Sequence, residues 1–99
     1  MNTFIGVYSV KDKLTGLYGT PQLFHSRIEA VRAFVVVATD GDSLIRARPA
    51  DFSLYFHGVF WQDSGMLDSI DPDFVTSADG AVECLQSFID VLEGSDHDD

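Results

Sequence analysis

Apolar and polar side chains alternate at the start of the chain. From Thr3 to Val10, Phe4, Tyr8 and Val10 fall on one side of an extended segment and Ile5 and Val7 on the other. This period of two predicts a strand with apolar character on both faces. Lys11-Asp12-Lys13-Leu14-Thr15-Gly16 is polar and ends on glycine, the composition of a hairpin loop. Leu17 to Phe24 resumes as a second strand. Pro21 has no amide to donate, so this strand is expected at a sheet edge or at a bulge.

The period changes at Ser26. Ser26-Arg27-Ile28-Glu29 has the spacing of a capping box, in which the serine accepts from the Glu29 amide and Glu29 reaches back. A helix is predicted from about Arg27 to about Thr39, with Ile28, Val31, Phe34, Val35 and Ala38 as its core stripe. Val36 and Val37 fall off that stripe, and each valine costs about a few tenths of a kcal/mol of helix propensity relative to leucine. Two placements fit. Either the helix end is buried within the monomer, or Ala33, Val36 and Val37 form a second apolar face for self-association.

Asp40-Gly41-Asp42-Ser43 stops the helix, and Leu44 to Asp51 reads as an irregular connection because Pro49 disfavours helix at Arg48. Phe52 to Trp61 is the strongest strand signal. Phe52, Leu54, Phe56 and Phe60 are expected on one face, and Tyr55, His57, Val59 and Trp61 on the other. Gln62-Asp63-Ser64-Gly65 is a turn, Met66 to about Ile70 pairs back, and Asp71-Pro72-Asp73 breaks the chain. Thr76 or Ser77 can cap a second helix with Asp79 in its first turn. Val82, Leu85, Phe88, Ile89 and Leu92 form its stripe, and Gly94 stops it. The expected fold is α+β: one domain over residues 1–94 in the order ββαββα. It would be an antiparallel four-stranded sheet with two helices on one face. Residues 95–99 form a short acidic tail, expected to be disordered.

Charge narrows the function classes. Sixteen acidic residues face six basic ones, for a net charge of −10 over 99 residues. All six basic residues lie in residues 1–50 with four acids, making that half +2; residues 51–99 hold twelve acids and no lysine or arginine, −12. Such a balance argues against a protein that coats nucleic acid generally, though not against a local basic patch. The longest apolar run, Ala33 to Ala38, is far short of the roughly 20 residues that span a bilayer. Met1-Asn2-Thr3 opens no secretory signal, and the single Cys84 suits a reducing cytosol.

Catalytic and metal chemistry find little support. Asp68, Asp71 and Asp73, like Asp40 and Asp42 around Gly41, lack the ligand spacing of a calcium loop. His25, His57, Cys84 and His97 are too scattered for zinc, so no metal or cofactor is expected. Cys84 reads as a small helix residue near the core, and His57 as a satisfied sheet-face histidine rather than a base. A non-enzymatic protein is expected. Binding chemistry is better represented. Tyr18, Tyr55 and Trp61 could stack unpaired bases while Lys11, Lys13, Arg46 and Arg48 contact phosphate. The competing reading packs the same aromatics into the core and sheet edges.

An ordered set of segments carries a resemblance. Tyr8-Ser9-Val10, Lys11-Asp12-Lys13, Gly16 and Tyr18-Gly19-Thr20-Pro21 are followed by Glu29-Ala30-Val31-Arg32-Ala33-Phe34. Ser43-Leu44-Ile45, Pro49-Ala50-Asp51-Phe52, Leu54-Tyr55, Gly58 and Phe60 complete the set. From about Tyr8 to Leu67 the chain resembles a small nonstructural protein of gokushoviruses, single-stranded DNA phages of the Microviridae. That family is likened to the factor that switches replication from duplex to single-strand synthesis and packaging. The resemblance implies a regulator made in the host bacterial cytoplasm, absent from the mature virion, contacting DNA or a viral replication or packaging protein. It supplies no catalytic residues. Val35-Val36-Val37 and the acidic C-terminal third depart from the family pattern. The first favours a protein–protein surface, a homodimer among them. The second favours an acidic module that engages a basic partner without touching DNA. Whether the basic loops around Lys11–Lys13 and Arg46–Arg48 meet on one side of the sheet decides between these readings.

Overall fold

The structure, a computed structural model, describes residues 3–83. It comprises β1 (Phe4–Asp12), β2 (Gln22–Phe24), α1 (Arg27–Thr39), α2 (Leu44–Ala47), a 3-10 turn (Pro49–Asp51), β3 (Phe52–Trp61) and β4 (Leu67–Ser77). Residues 78–83 are helical. The four strands form one sheet in the order β2-β1-β3-β4, each neighbouring pair antiparallel. The α+β expectation and its ββαββα order hold. The rest of the predicted second helix (Leu85, Phe88, Ile89, Leu92, the Gly94 stop), Cys84, and the tail lie outside the described residues.

One face of the sheet carries the core. Tyr8, Phe52 and Leu54 are buried there against Ala30, Phe34 and Ala38 of α1 and against Ala78 and Ala81. Alanines at i and i+8 around Phe34 let α1 lie close to the sheet, and Val31 and Val35 flank that line. Ile28, expected in the stripe, is 50% exposed instead, because the buried line runs through Ala30. The Ser26 hydroxyl accepts from the Glu29 amide at 3.2 Å, the serine half of the predicted box. Val36 and Val37 are exposed, 68% and 46%, so burial of the helix end within the monomer is not what the structure shows.

Three local departures from the expected elements share a cause: short irregularities leave no periodicity in a sequence. Leu44 to Asp51 is not irregular. Ser43 caps α2 by accepting from the Ile45 amide at 3.0 Å, Ile45 packs on the core, and Pro49 opens the 3-10 turn, where no amide donor is needed. The second strand is split. Tyr18 makes an isolated bridge to Lys11, and pairing resumes only at Gln22 beyond Pro21. β2 lies at the sheet edge, as Pro21 requires. β4 does not stop at Ile70. It continues as the other edge strand, and its register against β3 slips between Phe56 and Gly58, leaving Ile70, Asp71 and Pro72 unpaired.

The bulge in β3 matters most. Pairing with β1 runs from Phe4↔Trp61 to Val7↔Gly58, then shifts to Tyr8↔Phe56, leaving His57 without a partner. One extra residue sends every later side chain to the opposite face. Phe60 therefore joins the Tyr55 side, while Val59 and Trp61 join Phe52, Leu54 and Phe56, reversing the expected assignment beyond His57. The hairpin turns are alike. Gly16 and Gly65 have φ of +74° and +75°, and their amides donate to Asp12 and Trp61 carbonyls at 2.8 and 2.7 Å.

Candidate nucleic-acid interface

The face opposite the core is open, with no described helix on it. Register places Ile5, Val7, Ser9 and Lys11 of β1 there, with Ser53, Tyr55 and Phe60 of β3 and Leu67, Ser69 and Phe74 of β4. Tyr18 reaches the same side through its bridge to Lys11. At the Lys11 end these residues form a cluster. Tyr18 and Tyr55 meet edge to face at 5.3 Å, Tyr18 meets His57 at 5.2 Å, and Tyr55 meets Phe74 at 5.8 Å. The Lys11 ammonium lies 5.3 Å from the Tyr18 ring centre and 5.8 Å from that of Tyr55, within cation–π range. Phe74 is 55% exposed and Tyr18 39%.

Local sequence explains each placement. Lys11 precedes the turn, and the Asp12 amide closes that turn on the Leu17 carbonyl at 2.9 Å, bringing Tyr18 opposite Lys11. His57, two residues beyond Tyr55, keeps the side of Tyr55 as strand alternation expects, and it stands at the unpaired bulge position. Its Nε2 lies 2.6 Å from the buried Ser9 hydroxyl, which holds the ring edge-on to Tyr18. The satisfied histidine expected from sequence is what the structure contains.

The electrostatics follow from the same register. Asp12, Asp68 and Asp73 pair with Phe52, Val59 and Phe56, so their side chains belong to the core-bearing side. Among the described strand residues in register, none facing the open side is acidic, and Lys11 is its charge. Beside the cluster lies a groove of about 420 Å³, lined by Lys11, Lys13, Ser53, Tyr55 and Phe74 among others.

Of the predicted site residues, Lys11, Lys13, Tyr18 and Tyr55 are brought together. Three are not. Trp61 packs against Phe4 on the core-bearing side, ring centres 5.5 Å apart, because of the β3 bulge. Arg48 is taken up by Asp51 at 3.4 Å and Asp12 at 4.0 Å, and lies over the Phe52 ring. Arg46 sits exposed on α2 and shares no contact with the cluster. The two basic loops adjoin, the Lys13 amide donating to the Asp51 carbonyl at 2.8 Å, but Arg48 lies over Phe52 on the core-bearing side and Lys11 over Tyr18 on the open side, so their charges do not meet on one face. Ala33 and Val37 line an apolar cleft of about 290 Å³ between α1, β1 and β2, with Val36 outside it. The sequence reading does not place Phe74 or His57 among the binding residues. Phe74 follows a segment that reads as a break, and His57, expected on the Tyr55 side and found there, reads as a satisfied histidine.

Exposed aromatic rings beside an ammonium group can stack bases and attract the adjoining phosphate. No group of three metal-ligating side chains occurs among the described residues, and no described helix is long and apolar enough to cross a membrane. Neither the curated proteins nor the solved structures contain a match to the chain. A protein-family model does match, described as Phage ORF5 protein and aligned over residues 5–81. That span includes β1 from its second residue, β2, β3, β4, α1, α2 and every member of the aromatic cluster, and on it the chain belongs to the Phage ORF5 protein family.

Proposed function

We propose that this phage protein is a non-enzymatic regulator of single-stranded DNA replication or packaging that holds unpaired DNA on its open sheet face. The observation that carries the reading is the position of Lys11 over Tyr18 and Tyr55 on a face where no paired strand residue among those described is acidic. Bases stack on Tyr18, Tyr55 and Phe74, since every base offers a π face. The phosphates pass Lys11 and Lys13. The protein acts in the host cytoplasm alongside a viral replication or packaging protein and stays out of the mature virion.

The test is fluorescence anisotropy with short single-stranded oligonucleotides at low and moderate salt. Binding that weakens with salt and is lost on Tyr55→Ala supports the proposal; no binding at low salt, where phosphate contacts are strongest, removes it. A second reading rests on the exposed Asp63, Asp68, Asp71 and Asp73 around β4, and is favoured by the basic side chains of Lys11 and Arg48 lying on different faces. In it these carboxylates engage a basic partner and DNA is not touched. Capture of a basic peptide that is lost on replacing Asp68 and Asp71 by asparagine, with no DNA binding, favours that alternative.

A further inference from the structure

The groove beside the aromatic cluster carries chemistry that stacking does not use. It lies between the first hairpin turn and the 3-10 turn and shares Lys11, Tyr55 and Phe74 with the cluster. Lys13 is fixed at its rim by the backbone, its amide donating to the Asp51 carbonyl at 2.8 Å. Ser53 adds a hydroxyl. Ser77 also lines the groove, but its hydroxyl is committed to the helix start, accepting from the Gly80 amide at 3.2 Å. The one carboxylate among the described lining residues, Asp51, is paired with Arg48 at 3.4 Å. Arg48 also reaches Asp12 at 4.0 Å, so Asp51 is partly offset, and Lys11 and Lys13 together outweigh it in the groove.

Resting on the DNA-binding reading above, we infer that this groove is a phosphate site. It receives the phosphate of a nucleotide whose base lies against Tyr55 and Phe74. Lys11 and Lys13 supply the charge, and the Ser53 hydroxyl donates to a phosphate oxygen. The phosphate can be an internal phosphodiester of a strand or the terminal group of a free nucleotide; the recognition chemistry is the same. Asp51 opposes the incoming anion through whatever charge Arg48 leaves unbalanced, so its removal acts with the opposite sign from removal of a lysine.

The experiment measures anisotropy of a labelled oligothymidylate with the full chain across a salt series. It compares the natural protein with Lys13→Gln, Asp51→Asn, Phe74→Ala and Tyr55→Ala. Lys13→Gln is expected to reduce the slope of log K against log salt by about 0.7, which is about fivefold in affinity over one decade of salt. Phe74→Ala weakens binding about tenfold by lost stacking and leaves the slope unchanged. Asp51→Asn tightens binding. Competition by thymidine monophosphate but not thymidine supports the site with a terminal phosphate as its source, and competition by neither supports it with an internal phosphodiester. Equal competition by both overturns it. If Tyr55→Ala abolishes binding while Lys13→Gln changes neither affinity nor slope, the phosphate site is wrong and the DNA reading stands. If the natural protein binds no oligonucleotide at low salt, both fall.

Discussion

Gly58 has φ of +131°, and a Cβ there would run into the Asp68 carbonyl oxygen on β4. Only glycine fits both the backbone and the space. Gly58→Ala is expected to lower stability by about 2–3 kcal/mol, read as a lower urea midpoint at unchanged slope. The same residue adjoins the β3 bulge at His57, so its replacement disturbs the aromatic cluster as well as the sheet. Within that cluster, Tyr55→Ala should cost about 1–3 kcal/mol of single-stranded DNA affinity. Trp61→Ala should leave the affinity unchanged, since its ring lies against Phe4 on the other face. Equal losses for the two variants would contradict the assignment of faces.

Elements differ in how much of them can be read from residues alone. α1 was legible to its ends because Ser26 marks its start and thirteen residues sustain one period. Replacing that cap by Ser26→Ala is expected to cost about 1 kcal/mol in a thermal or urea melt. The second helix also begins where Ser77 and Asp79 place it. Asp79 is held below the ordinary carboxylate range by its hydrogen bond from Ser77 and then by the Gly80 amide. Its contribution to stability is present at neutral pH and disappears as pH falls through that lowered value. By contrast, α2 has four residues, too few to show a period, and each bulge inserts residues that no pattern announces. A single unpaired residue in β3 is enough to send Val59 and Trp61 to the face opposite the expected one. On α1, Val36 projects into solvent. If Ala33, Val36 and Val37 join two copies, light scattering will give a dimer that Val36→Lys converts to monomer. A monomer in both cases ends that proposal.

Across the whole molecule, a net charge of −10 coexists with a sheet face whose paired strand residues, among those described, include lysine and no carboxylate. The sign of the total therefore says little about the sign of that face. Antiparallel pairing sorts charge by parity of position, and it sends Asp12, Asp68 and Asp73 to the side that carries the helices. The most direct test of the open face is amide and aromatic NMR chemical-shift mapping during titration with a short oligothymidylate. The account predicts shifts concentrated at Lys11, Tyr18, Tyr55, His57 and Phe74, with Arg46 and Trp61 unmoved. Shifts centred on α1 or on the β4 aspartates, with the aromatic cluster silent, would contradict it.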